Sequence, residues 1–182
     1  MLALIAALGC PAAAVADVGM LAIDPARSAV DIDVSATADS FTVHMQRFSA
    51  SIAVDGELGN VVTADVHFRF ADLKSGDDER DAEMDSWAQM DQFPDGEFTL
   101  DSAGHGDSGQ YSVRGRLRLH GVERDVQIPV MVSVNPQGLV LEGTASLDTR
   151  EYGLPVYRKF FFFKVNPVVQ VRFRLVGRLV IP

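Results

Sequence analysis

The side chains best suited to moving protons or holding a metal in this 182-residue sequence are four histidines, His44, His67, His105 and His120. They show neither an H-x-x-x-H pair nor any comparable ligand spacing. His120 stands beside Gly121 between two alternating segments, a place for a turn residue rather than a catalyst. Asp77, Asp78 and Asp81 are close in sequence but lack the ligand order of a calcium loop. No G-x-S-x-G, P-loop or dinucleotide fingerprint occurs. A Ser-His-Asp set drawn from scattered residues carries no weight, because most chains of this size allow one. The residues thus favour binding over reaction: no catalytic group, metal or cofactor is expected.

Composition narrows the partner. With 25 Asp+Glu against 16 Lys+Arg, the net charge is −9, which disfavours nucleic acid and electrostatic adhesion to anionic lipid. The first sixteen residues carry no charge and end in Ala14-Val15-Ala16 before Asp17, the small-x-small pattern of a cleavable export signal. Residues 1–16 are therefore expected to be a signal peptide and 17–182 one mature domain, periplasmic or secreted. Cys10, the lone cysteine, lies in that leader, so the mature chain would hold no disulfide or thiolate. A second reading takes Ala7-Leu8-Gly9-Cys10 as a lipoprotein signal that anchors the protein through Cys10.

The elements that must position any site are strands. Val30, Ile32 and Val34 alternate with polar residues, as do Val62, Ala64, Val66, Phe68 and Phe70. Phe41, Val43 and Met45 share one parity and Phe48, Ala50, Ile52 and Val54 the other, which implies a bulge or bend between them. The pattern returns in Tyr111–Leu119, Val126–Val134, Leu139–Leu147 and Val169–Leu175. Phe98 and Leu100 mark a short strand ended by a Gly-rich turn over Ser102–Gly109. Arg114, Arg116 and Arg118 share an outward face suited to acidic cross-strand partners.

One stretch breaks the rhythm. Residues 78–90 contain no β-branched residue, and Met84, Trp87, Ala88 and Met90 fall at helical spacing behind an Asp77 or Asp78 N-cap. One short amphipathic helix is expected there, inserted between strands. About eight strands, each with one apolar face, can hide that face and their edges by closing into an antiparallel barrel or a sandwich. An eight-stranded barrel is either filled by side chains or holds one small ligand, and periodicity leaves both open.

From Arg80 onward the sequence resembles the YceI-like family of exported lipid- and polyisoprenoid-binding proteins. The resemblance rests on Arg80-Asp81 with Met84 and Ser86, on Phe93-Pro94 and Phe98, on Gly115-x-Leu117-x-Leu119-His120-Gly121-Val122, and on Arg150-Glu151-Tyr152-Gly153. The opening Ile23-Asp24-Pro25-x-Arg27-Ser28 is similar to the family's start, with Arg27 where histidine is usual. Near Gln46 the family's V-x-G-x-F strand signature is missing. The resemblance implies an all-β fold, a single eight-stranded antiparallel lipocalin-like barrel around a long apolar pocket. Its ligand would be a polyisoprenoid, an isoprenoid quinone or a fatty acid derivative.

Such a function needs a dry wall. Each buried methylene contributes roughly 0.8 kcal/mol, so a five-carbon isoprene unit is worth about 3–4 kcal/mol before ordering costs. The candidate wall residues are Phe68, Phe70, Phe98, Val113, Leu117, Ile128, Val130 and Phe173, with Met84, Trp87 and Met90 as an adaptable lid. The competing reading makes them plain core. Arg80, Arg150 and Arg158 are candidate head-group contacts, against structural or outward-rim roles. A transient membrane or membrane-protein partner fits a carrier. The Phe160-Phe161-Phe162-Phe163 run motivates the alternative, a non-catalytic structural or adaptor barrel that binds a protein through its outer face.

Overall fold

The structure, a computed structural model, describes residues 18–37, 39–55, 60–105, 109–136, 138–159 and 162–181. The expected leader with Cys10, and Phe160 and Phe161 of the phenylalanine run, lie outside the described residues. In chain order the strands are β1 (Val18–Ile23), β2 (Ala29–Ser35), β3 (Ser40–Met45), β4 (Phe48–Asp55), β5 (Val61–Arg69) and β6 (Leu73–Lys74). Helix α1 (Asp78–Trp87) follows, then β7 (Asp95–His105), β8 (Gln110–Leu119), β9 (Val122–Asn135) and β10 (Gly138–Asp148). The short β11 (Arg158–Lys159) and β12 (Phe163–Lys164) precede β13 (Val168–Val180).

Eight of these strands form a closed antiparallel ring in the order β1-β4-β5-β7-β8-β9-β10-β13, sealed by pairing of β1 with β13. Closure removes the edges that alternating strands would otherwise expose, as expected from the sequence. The edge of β13 opposite β10 is long enough to serve two partners: Gly177–Val180 faces β1, and Gln170–Arg174 faces β2. β2, β3 and β6 thereby extend the barrel wall beyond the ring.

The phase change read between Met45 and Phe48 has a structural cause. Consecutive strands β3 and β4 are interrupted at Gln46-Arg47, and β5 and β6 are interrupted beside them by a single 3-10 turn at Phe70–Asp72. Asp72 ties the two breaks together. Its backbone oxygen accepts from the Gln46 amide at 2.8 Å, and its nearly buried carboxylate accepts from Arg47 (2.6 Å) and Arg69 (3.2 Å). Hydrogen bonds from Arg69 and Arg47 hold that carboxyl below the usual aspartate range.

Two local expectations need correction. β7 does not stop at Leu100; it runs through Ser102, Ala103 and Gly104 to His105, paired with β8 across a register shift between Leu100 and Ser102. The shift spares the ladder a break, so the glycine at 104 sits in a strand rather than a turn. The helix ends at Trp87, short of Met90, because the chain leaves helical geometry at Gln89 (φ 50°). Nor is α1 buried by an apolar stripe. Its buried residue is Asp81, which accepts from the Ser75 amide (2.8 Å) and hydroxyl (2.7 Å) and fastens the helix to the preceding loop. Asp77 caps the helix through the Arg80 amide at 3.0 Å, as the sequence suggested.

On the barrel exterior, Arg116 pairs with Asp101 and Glu123, and Arg118 with Glu97. Arg114 lies opposite Ser102 and Gln127 instead of an acid.

Candidate ligand cavity

The barrel is hollow. A cavity of about 580 Å³ runs between two clusters of buried residues. One cluster, at the ring, includes Ile52, Val54, Val113, Val130, Leu141 and Leu175. The other, toward α1, includes Val34, Val43, Phe70, Leu119, Leu147 and Tyr152. All eleven apolar candidates line the cavity: Phe68, Phe70, Phe98, Val113, Leu117, Ile128, Val130 and Phe173 from the wall, and Met84, Trp87 and Met90 from α1 and the turn after it.

Why the tube stays open follows from three inward-facing glycines. A Cβ at Gly96 would meet the Phe68 ring at 2.2 Å, one at Gly115 the Phe98 ring at 2.6 Å, and one at Gly143 the Phe173 ring at 2.5 Å. Each phenylalanine therefore lies flat over a glycine on the neighbouring strand and thickens the wall instead of crossing the lumen. A branched residue at those three positions would push the rings inward.

Polarity is confined to one end. Every polar side chain that lines the cavity comes from residues 77–83 or 149–166, so the tube has one polar mouth and an apolar interior. α1 covers that mouth and is clasped to the segment before β12. Trp87 donates its indole N–H to the Pro155 carbonyl at 2.7 Å. Glu83 accepts from the Tyr157 hydroxyl at 2.7 Å and is bonded to Lys159, which also reaches Glu79 at 3.3 Å. Lys159 and Tyr157 hold the Glu83 carboxyl below the usual range, whereas burial and the Glu83 bond push the Tyr157 phenol up. Burial raises the Tyr152 phenol to about 12.

The three arginines part company. Arg80 lines the mouth, with its guanidinium 4.3 Å from the centre of the Phe41 ring and 3.9 Å from Asp77. Arg150 is exposed and forked onto Asp148, at 2.9 and 2.5 Å, and Arg158 is exposed on β11; neither lines the cavity. His120 is a turn residue, as the sequence suggested. It sits at φ 49° in the β8–β9 turn, 4.1 Å from the Phe93 ring, with its two ring nitrogens near the Tyr152 carbonyl (3.2 Å) and the Gln89 side chain (3.3 Å). Sequence reasoning missed Tyr157, Glu83 and Lys159, whose partners are more than seventy residues apart. The weak signal was the lapse of alternation after Leu154.

No curated protein matches the sequence closely. Solved structures share the architecture at low identity. Burkholderia cenocepacia BcnA superposes with a TM-score of 0.76 at 20% identity, over 85% of this chain and 99% of that one. A polyisoprenoid binding domain from Saccharophagus degradans, implicated in plant cell wall breakdown, gives 0.64 at 15% identity, over 90% and 99%. The Campylobacter jejuni YCEI protein gives 0.58 at 15% identity, over 72% and 83%. At these identities the likeness establishes the fold. Residues 21–177 match the YceI-like domain model, which spans nearly all of the barrel, and the chain belongs to the YceI-like family.

Proposed function

We propose that this protein is an exported carrier that holds a long apolar molecule, a polyisoprenoid, isoprenoid quinone or fatty acid derivative, inside its barrel. The observation that carries this reading is the apolar cavity of about 580 Å³ within a closed ring of strands. Family membership and the polyisoprenoid-binding relative support a lipid as the occupant. At about 30 Å³ per heavy atom, the share of a molecule in liquid water, such a space takes roughly twenty carbon atoms. Binding of this kind draws on burial of hydrocarbon and requires no reactive group or cofactor. The uncharged run at residues 1–16, which ends in the small-x-small pattern Ala14-Val15-Ala16, supports a periplasmic or secreted location. Delivery to or from a membrane is the transfer such a carrier would perform.

The test is native mass spectrometry of the gently purified protein, followed by titration with prenyl alcohols. A stoichiometric lipid, or saturable uptake of a C20 prenyl alcohol, is the expected result; a protein that is empty and takes up no prenyl compound refutes the proposal. The adaptor reading has one observation in its favour, the exposure of Phe162 at 74%. Phe162→Ser should leave prenyl uptake unchanged if the barrel interior is the working part.

A further inference from the structure

The carrier reading leaves the ligand's polar end open, and the mouth of the cavity bears on it. Five charged residues line that mouth: Asp77, Glu79, Arg80, Glu83 and Lys159. Three are acids and two are cations, so acids outnumber bases at the mouth. Lys159 lies between Glu79 and Glu83, and Arg80 rests on Phe41 beside Asp77. The other two candidate arginines stand elsewhere, Arg150 on Asp148 and Arg158 outside the lining.

Resting on the carrier reading, we infer that this cavity selects lipids with an uncharged head, such as a prenyl alcohol or a quinone, and discriminates against diphosphate and carboxylate heads. A diphosphate entering the mouth would have to take Lys159 from two glutamates and would then face the carboxylates it displaced. Glu83, only 33% exposed, sits beside a low-dielectric interior, where like-charge repulsion is less screened than in bulk water, and Glu79 adds a more screened charge of the same sign. A hydroxyl or quinone carbonyl faces no such opposition: the Thr149 hydroxyl and the Asn166 amide line the same end as donors, and the Tyr157 oxygen, its proton given to Glu83, can accept from an alcohol. The acids therefore act as a negative filter around an otherwise unselective greasy tube.

Competition of geranylgeraniol and geranylgeranyl diphosphate against a fluorescent apolar probe tests this on the full chain. The alcohol should bind at least tenfold more tightly at low salt, and added salt should narrow the gap. Glu79→Lys, at a side chain 83% exposed, should shift the alcohol-to-diphosphate affinity ratio at least fivefold toward the diphosphate. Equal or tighter diphosphate binding by the native protein overturns the inference, as does a ratio that neither salt nor Glu79→Lys moves. If neither compound displaces the probe, the carrier reading itself fails and the inference falls with it.

Discussion

Ala145 tests where the ligand's hydrocarbon lies. It lines the cavity on β10 between Leu141, which belongs to the inner cluster, and Leu147, which belongs to the cluster under α1. Its partner across the ladder is Val171, also a lining residue. Ala145→Phe places a phenyl ring in the open lumen, with a bulk of about one five-carbon prenyl unit. A C20 chain that filled the native cavity must then leave roughly that much hydrocarbon in water. At about 0.8 kcal/mol per methylene the loss is about 3–4 kcal/mol, two to three powers of ten in Kd. A C15 chain fits the shortened space and should lose less than about tenfold. The assay is probe competition with geranylgeraniol and farnesol, read beside a thermal melt that confirms the variant is folded. A folded variant in which both chains weaken equally, or neither weakens, refutes the assignment of this cavity as the binding volume.

Gly96→Ala should drive the Phe68 ring from the wall, lowering stability by about 1–3 kcal/mol in urea unfolding and weakening prenyl binding in the same protein. Asp81→Asn removes the charged acceptor of two Ser75 hydrogen bonds and should cost about 1–3 kcal/mol by the same measurement. Trp87→Phe deletes one lid bond, to the Pro155 carbonyl, and should speed ligand release by roughly fivefold in a stopped-flow chase, for about 1 kcal/mol lost. Glu83, Asp72 and Asp33 all ionise more readily in the fold than in the unfolded chain. Their stabilisation is complete above the ordinary carboxyl values of 3.8 and 4.5 and is lost as pH falls through the depressed ones. Melting temperature should consequently drop on acidification below about pH 4, where these carboxylates take up protons; a drop confined to pH 6–8 would contradict this.

Much of the wall was legible because a barrel strand writes its inward face into every second residue. Phe98, Val113, Leu117 and Ile128 could be assigned to the lumen by parity alone. Hollowness was not legible. It depends on Phe68, Phe98 and Phe173 each meeting a glycine across the ladder, and a strand's own pattern does not name its partner. The clasp was hidden for a related reason: Glu83 and Tyr157 meet only because α1 crosses the mouth, and their spacing in sequence carries no period. The short reach of Asp148 to Arg150 makes the opposite case, where a neighbour two residues away removed a candidate from the site.

The seam of the barrel joins strands far apart in sequence, with Met20 opposite Val180. A nascent polypeptide cannot complete the ring until β13 has been made, so the greasy lining stays open to solvent until then. Such long-range pairing slows folding and invites aggregation, and it gives chaperones a period in which to act. The same adjacency suits the molecule to circular permutation: a linker bridging the paired strands, with new termini cut at the β8–β9 turn, would retain every ladder.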